Sequence, residues 1–360
     1  MEWYVKYESQ GDKKLKNRKV GIIGSICDDL DGQTIKTKIL YSELKNATNW
    51  KLCVANTQYK ATNTIKLLFQ TITMLFTCKD IFILVSQNGA RFYFPLLYWS
   101  TKILKTRVYH DVIGGSPADY IRENYNNKKY LNSFIVNWVE TKQMCVELRE
   151  FGVMNAKPLP NFKRLNCIKE ENAIMNFDFP LPLCTFSRVM KEKGIEDAIN
   201  AINKINSMQK KNVYKLDIYG SVDCDYKDRF EKIMSQQNDA ISYCGLIPYN
   251  KSVEVVKNYY ALLFPTYWFG EGFPGTIIDA FSSGVPVIAT DFSANSEIIS
   301  DMKTGIIYPN ENIKTLEDAL MWMIDNKEKI LIMRKNCVIE AEKYQPDIHV
   351  KTIVNIVERN

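Results

Sequence analysis

One stretch, Tyr267 to Ile299 (YWFGEGFPGTIIDAFSSGVPVIATDFSANSEII), gathers residues whose types and spacing can do chemistry together. Gly270, Gly272 and Gly275 punctuate a loop, Pro274 fixes φ near its end, and Gly275 to Ser283 reads as a helix stopped by Gly284. A glycine-rich loop entering a helix aims backbone N–H groups and the positive end of a dipole at one point, which suits a phosphate. Glu271 lies in that loop, and Asp279 follows eight residues later on the helix. A carboxylate beside an anion site is badly placed for phosphate and well placed to accept hydrogen bonds from neutral hydroxyls. Phosphate plus hydroxyls describes a sugar nucleotide. Arg188 and Lys193 stand five apart just after a strand, in a loop closing into a helix, and can grip one diphosphate from two sides. The plainer reading of the same residues is a solvated loop, since MKEKGIED carries both signs of charge.

The elements that must position these residues alternate along the chain. Strands are expected at 19–26, 52–54, 81–85, 107–110, 134–136 and 157–160. Helices are expected between them at 34–44, 62–76, 92–104 and 140–151, with a polar loop at 28–33. Residues 161–182 are polar and aperiodic and end in two prolines, the pattern of an interdomain connector. The alternation then restarts, with strands at 183–186, 214–219, 241–244, 262–265 and 285–289. Helices follow at 195–208, 228–235, 253–260, 316–326, 329–343 and 347–357. Strands alternating with helices imply parallel sheets, because parallel neighbours need a crossover. The expected fold is α/β: two doubly wound Rossmann-like domains facing a cleft, at 1–165 and 166–344, with a tail helix at 345–360 packing back on the first.

Composition narrows the classes. The 360 residues suit two domains, and no apolar run approaches ~18 residues, so no membrane span is expected. The N-terminal MEWYVKYESQGDKKLKNRK has no apolar core of a secretory leader. Nine scattered cysteines without a C-x-x-C pair suggest reduced thiols in a cytoplasmic protein. Only His110 and His349 exist, neither with Cys or His at ligand spacing, so no metal site is expected. Residues 1–165 carry 25 Lys/Arg against 14 Asp/Glu, while the remainder carries 22 against 27. The basic first half suggests an anionic surface, such as phospholipid headgroups or a lipid-linked phosphate. No nucleic-acid-binding signature accompanies it. The first strand leads into GIIGSICDDLDG, which lacks G-x-G-x-x-G and argues against a dinucleotide oxidoreductase.

The segments S-R-V-M-K-E-K-G, I-Y-G-S, Y-C-G-L-I and G-E-G-F-P-G-T-x-x-D-A-F-x-x-G-V-P-V-I-A-T fall in an order and spacing that resembles the retaining family-4 glycosyltransferases. The bacterial members that build capsule, O-antigen or other surface polysaccharides are the most similar. The resemblance implies the two-domain GT-B fold, no metal or other cofactor, and a UDP-, GDP- or dTDP-sugar as donor substrate. By the same resemblance Arg188 and Lys193 hold the donor diphosphate, Glu271 holds sugar hydroxyls, and Phe273, Pro274, Gly275 and Thr276 line sugar and phosphates. Asp279 stands where the family's second Glu holds ribose, one methylene shorter. Gly220, Ser221 and Leu246 would line the nucleoside pocket, and Gly32-Gln33-Thr34 stands at the family's glycine loop with one glycine replaced. His110 falls where family members often carry a histidine near the donor sugar, whereas His349 has no such context and reads as surface. Glu271 can be argued as a nucleophile, although its place beside phosphate favours hydrogen bonding. The implied reaction moves a sugar to a glycan or polyprenyl-diphosphate-linked acceptor, on the inner face of the plasma membrane. The alternatives are a sugar-nucleotide epimerase on the same scaffold and a non-catalytic nucleotide-sugar-binding partner of another transferase.

Overall fold

The protein is described by a computed structural model covering residues 18–26, 32–58, 63–112, 114–115, 117–309 and 313–360. Residues 28–31 of the expected 28–33 loop and the first residue of the 62–76 helix lie outside the described residues, and Gly32 and Gln33 are already helical. Two six-stranded sheets alternate with helices along the chain. The first has the order β2-β1-β3-β4-β5-β6, from strands Lys19–Gly24, Lys51–Asn56, Asp80–Leu84, Arg107–Asp111, Val136–Val139 and Ala156–Pro158 taken as β1 to β6. The second has the order β12-β11-β10-β7-β8-β9. Its strands β7 to β12 are Leu181–Phe186, Tyr214–Tyr219, Ile241–Gly245, Ala261–Phe264, Val287–Thr290 and Gly305–Tyr308, parallel at every pairing. The α/β class and the doubly wound sheets are those expected from the alternation. Among the described residues, those within 18–111, 129–137 and 353–360 form one compact unit, and those within 112–128 and 138–352 form another.

In the first unit, β3 (DIFIL) is buried at every position, which is why it reads as an unbroken apolar run rather than an alternating one. Its Asp80 is tolerated there because Arg107 (2.7 Å) and Arg18 (3.4 Å) pair with it and the Tyr109 hydroxyl donates to it. Gly21 in β1 admits the helix Thr64–Thr77: a Cβ there would lie 2.5 Å from Met74 Sδ. Arg18 also donates to the Val357 carbonyl (2.6 Å), tying the end of the tail helix to the start of β1.

In the second unit, Ile195, Ile199, Ile202 and Ile205 are all buried along helix Ile195–Met208, as their spacing predicts. Residues 161–182 are mostly exposed or half-buried, as their polarity suggests, and are anchored within the second unit. They contain a short helix, Glu170–Ala173, and the buried Arg334 donates to the carbonyls of Ala173 (2.8 Å), Tyr259 (2.5 Å) and Lys257 (3.1 Å). One guanidinium thus satisfies three carbonyls that the fold removes from water, and fastens the segment down. His349 is not on the surface. Its ring stacks on Phe162 (5.2 Å between centroids) and its Nε2 lies 2.8 Å from the Lys343 carbonyl.

Candidate functional site

The candidate residues divide between the units: Gly32, Gln33 and His110 in the first, and the others in the second. In the second unit the chain leaves β7, makes the turn Lys191–Lys193 and enters the next helix through Gly194 at φ +68°. A Cβ on Gly194 would lie 2.1 Å from the Pro265 carbonyl oxygen, so only glycine lets this turn lie against the end of β10. The close approach brings Lys193 to the loop after β10. Tyr267 N–H donates to the Glu192 carbonyl (2.8 Å), and Lys193 Nζ donates to Glu271 Oε2. Thr266 Oγ1 donates to the same oxygen (3.2 Å).

Lys193 and Glu271 are both buried, and the ammonium lies 4.7 Å from the Trp268 ring centroid and 5.5 Å from that of Phe264. Burial pulls the Lys193 pKa below the ordinary lysine value; Glu271 opposes the shift, and the charge of Arg188 adds to it. Arg188 itself is exposed, with Asp223 at 4.0 Å. The structure therefore brings Lys193 to Glu271 and leaves Arg188 at the edge of the same region.

The loop carrying Glu271 is held from behind. Glu140, just beyond β5, accepts the Phe273 N–H (2.8 Å), and a Cβ on Gly272 would lie 2.2 Å from Glu140 Oε2. Asn161 Nδ2 donates to the Phe273 carbonyl (3.4 Å). Helix Gly275–Ser282 follows, with Pro274 at its N-cap making no side-chain cap bond. At its first turn Thr276 Oγ1 is buried without a hydrogen-bond partner among the described residues. Asp279, one turn on, is buried with both oxygens engaged: Ser252 Oγ donates to Oδ1 (2.6 Å) and Lys163 Nζ pairs with Oδ2 (2.5 Å). Gly220 at φ +139° lets β8 end against the Ser187 carbonyl, and its own carbonyl accepts the Tyr243 hydroxyl (2.8 Å). Ser221 accepts the Val189 N–H through its carbonyl (2.9 Å), and Leu246 is exposed.

Sequence reasoning missed Glu140 and Ser252, and gave Lys163 no place beyond the 161–182 connector. A signal existed for Glu140: it is a carboxylate at the carboxyl end of a buried strand, the edge where ligands of such sheets gather. Nothing local marks Lys163 or Ser252, whose partner is 116 and 27 residues away respectively.

In the first unit Gly32 opens helix Gly32–Ala47, and Gln33 Nε2 donates to the Leu84 carbonyl (3.2 Å). His110 is wholly buried at the end of β4, against Phe94 and Phe134. Asn137 Nδ2 donates to the Leu131 carbonyl, so its Oδ1 faces the imidazole and Nδ1–H donates to it (2.9 Å). Nε2 is left without a hydrogen-bond partner. Burial lowers the His110 pKa to about 4, against the opposing hydrogen bond to Asn137. The ring is thus neutral when folded, while the unfolded chain takes up a proton near the usual 6.5. Its contribution to stability is complete above the unfolded value and is lost as pH falls toward the folded one, by about 3 kcal/mol. Thermal melts of His110→Gln should show a shallower acid limb than wild type over that window; parallel limbs would show that His110 charges inside the fold.

Comparison with known proteins gives the following likenesses. Residues 180–344, which lie within the second unit, match the family model described as Glycosyl transferases group 1. An uncharacterized glycosyltransferase of Methanocaldococcus jannaschii is 21% identical over 220 residues, 61% of this chain and 53% of that protein. An N,N'-diacetylbacillosaminyl-diphospho-undecaprenol alpha-1,3-N-acetylgalactosaminyltransferase of Campylobacter jejuni is 24% identical over 107 residues, 30% of this chain and 28% of that protein. The chain therefore spans about half, or less, of the length of these curated relatives. The structure of Anabaena HepE in complex with UDP and glucose superposes with a TM-score of 0.71 at 12% identity, over 95% of this chain and 100% of that one. At that identity the likeness shows the fold, which is GT-B with two Rossmann-like domains.

Proposed function

We propose that the chain is a retaining glycosyltransferase that moves a sugar from a nucleotide-sugar donor to a glycan or lipid-linked acceptor in surface-polysaccharide (capsule or O-antigen) assembly, as in family 4, without a metal. The observation that carries this reading is the buried Lys193–Glu271 pair at the loop leading to the Gly275–Ser282 helix. A cation, a helix N-terminus and the orphaned Thr276 hydroxyl form a phosphate site beside a carboxylate suited to sugar hydroxyls. HepE holding UDP and glucose on the same fold supports a nucleotide-sugar donor, and the undecaprenol-linked substrate named for the Campylobacter relative supports a lipid-linked acceptor.

In the reaction, Lys193 and Arg188 stabilise the charge that builds on the departing diphosphate, together with the helix N–H groups. The diphosphate takes the acceptor's proton on the face it leaves, which retains the configuration at the sugar carbon. Glu271, ion-paired and hydrogen-bonded to Thr266, orients sugar hydroxyls rather than attacking. Asp279 would meet a donor ribose through an oxygen that already serves Lys163 or Ser252. That occupied carboxylate favours one second reading, a nucleotide-sugar-binding partner of another transferase; transfer by the purified chain alone would reject it.

A thermal-shift screen of UDP-, GDP- and dTDP-sugars tests the donor site. One of them, at a hundredfold excess over its Kd, should stabilise the native state by about 2.7 kcal/mol. Arg188→Ala should shrink the shift. A melting temperature indifferent to all three nucleotide sugars would sink the reading.

A further inference from the structure

The helix Thr64–Thr77 (TIKLLFQTITMLFT) is apolar on two faces. Leu67, Thr71, Met74 and Leu75 are buried against its own unit. Ile65, Leu68, Phe69, Ile72 and Phe76, at helical spacing on the other side, are exposed, Phe69 and Phe76 by 71% and 74%. The neighbouring helix Gln87–Ile103 continues the pattern with exposed Phe92, Trp99 and Ile103. The two helices touch where Thr71 Oγ1 and the Tyr93 hydroxyl come within 3.4 Å. Apolar area of this kind on paired helices marks a surface that something covers.

Charge selects the occupant. From Leu44 to His110 the only carboxylate in the sequence is Asp80, which is buried and paired with Arg107 and Arg18. Exposed Lys66, Arg91, Lys102 and Lys105 lie on or beside the two helices. A second copy of this chain would set one cationic face against another. An anionic phospholipid surface satisfies both properties at once: headgroup charge meets the lysines and arginines, and the aromatic and aliphatic side chains enter the acyl boundary. No helix among the described residues is long and apolar enough to cross a membrane, so these would lie along it.

We propose that the outer faces of helices Thr64–Thr77 and Gln87–Ile103 form a docking surface for anionic phospholipid. This rests on these helices alone and stands or falls separately from the donor site. Flotation with phosphatidylcholine vesicles, with and without phosphatidylglycerol, provides the test. The wild-type chain should float with the anionic vesicles, less so in high salt, and stay behind with phosphatidylcholine alone. The double variant Phe69→Ser, Phe76→Ser should lose binding by on the order of tenfold or more, since two exposed aromatic side chains no longer insert. Ile332→Ser, an equally apolar exposed position in the second unit, should float as wild type does. Melting curves and the nucleotide-sugar thermal shift of the double variant should match wild type, which separates lost docking from lost folding or a lost donor site. Anionic vesicles that leave the wild type behind, or that lift the double variant equally well, would overturn the proposal. So would a wild-type dimer that the double substitution dissociates, because the face would then belong to a second copy.

Discussion

Glu271→Ala is expected to destabilise the second unit by about 3–5 kcal/mol, the range for removing one partner of a buried ion pair. Burial lowers the Lys193 pKa, and Glu271 is the group that pulls it back up. Without that carboxylate the amine folds neutral, whereas the unfolded chain keeps its proton. The unfolded state then binds more protons, so the variant's stability rises with pH toward the ordinary lysine range. Urea midpoints of wild type and variant should accordingly lie farther apart at about pH 6 than at about pH 9. A gap independent of pH would mean that Lys193 stays charged on its own. Transfer should fall by roughly 10²–10³, because the leaving diphosphate loses a preorganised cation along with the sugar's hydrogen-bond acceptor. Glu271→Gln, which keeps an oxygen for Lys193 and Thr266, should retain more of both stability and turnover. Wild-type transfer rates in Glu271→Ala and Arg188→Ala alike would refute the site.

Lys163→Ala should cost about as much, roughly 3–5 kcal/mol, since Asp279 would stay buried with only the Ser252 hydroxyl beside it. The double change Lys163→Met, Asp279→Leu should recover most of the loss, because two apolar side chains of similar volume replace the pair and leave no stranded charge. A double-mutant cycle read by chemical denaturation would show a coupling of at least about 1 kcal/mol; additivity would mean that the ion pair does not hold the helix start. Donor affinity of Lys163→Met then tests the second demand on Asp279. If ribose competes with Lys163 for the carboxylate, removing the lysine should tighten donor binding.

The sheets and their helices were largely legible because parallel strands buried on both faces are unbroken apolar runs, as β3 is, and because helix Ile195–Met208 repeats isoleucine along one face. Boundaries were less so. The helix expected at 92–104 begins at Gln87 and runs through Pro95, and β7 begins at Leu181, two residues before the apolar stretch. Helices Pro117–Glu123 and Asn126–Asn132 escape a periodicity reading altogether, being too short to show a repeat. They are secured by contacts such as Asn127 Nδ2 donating to the Tyr120 carbonyl (2.6 Å). In the candidate site, Lys193 and Glu271 could be picked out singly from glycine spacing and charge, but their pairing is a property of the Gly194–Pro265 approach, which no local pattern encodes. His349 shows the same limit from the other side: a lone histidine in a polar tail is buried because Phe162, far away in sequence, offers its ring.

The contacts of Glu140 and Lys163 bear on how the chain can be dissected. The family match begins at residue 180, so a fragment cut there for expression would lack the acceptor of the Phe273 amide and the counter-ion of Asp279. Its glycine loop and helix start would be present in sequence yet missing their backing. A recombinant piece meant to hold a nucleotide sugar by itself should reach back to β5, and a chimera that exchanges donor domains between relatives should carry residues 138–180 with the domain they brace.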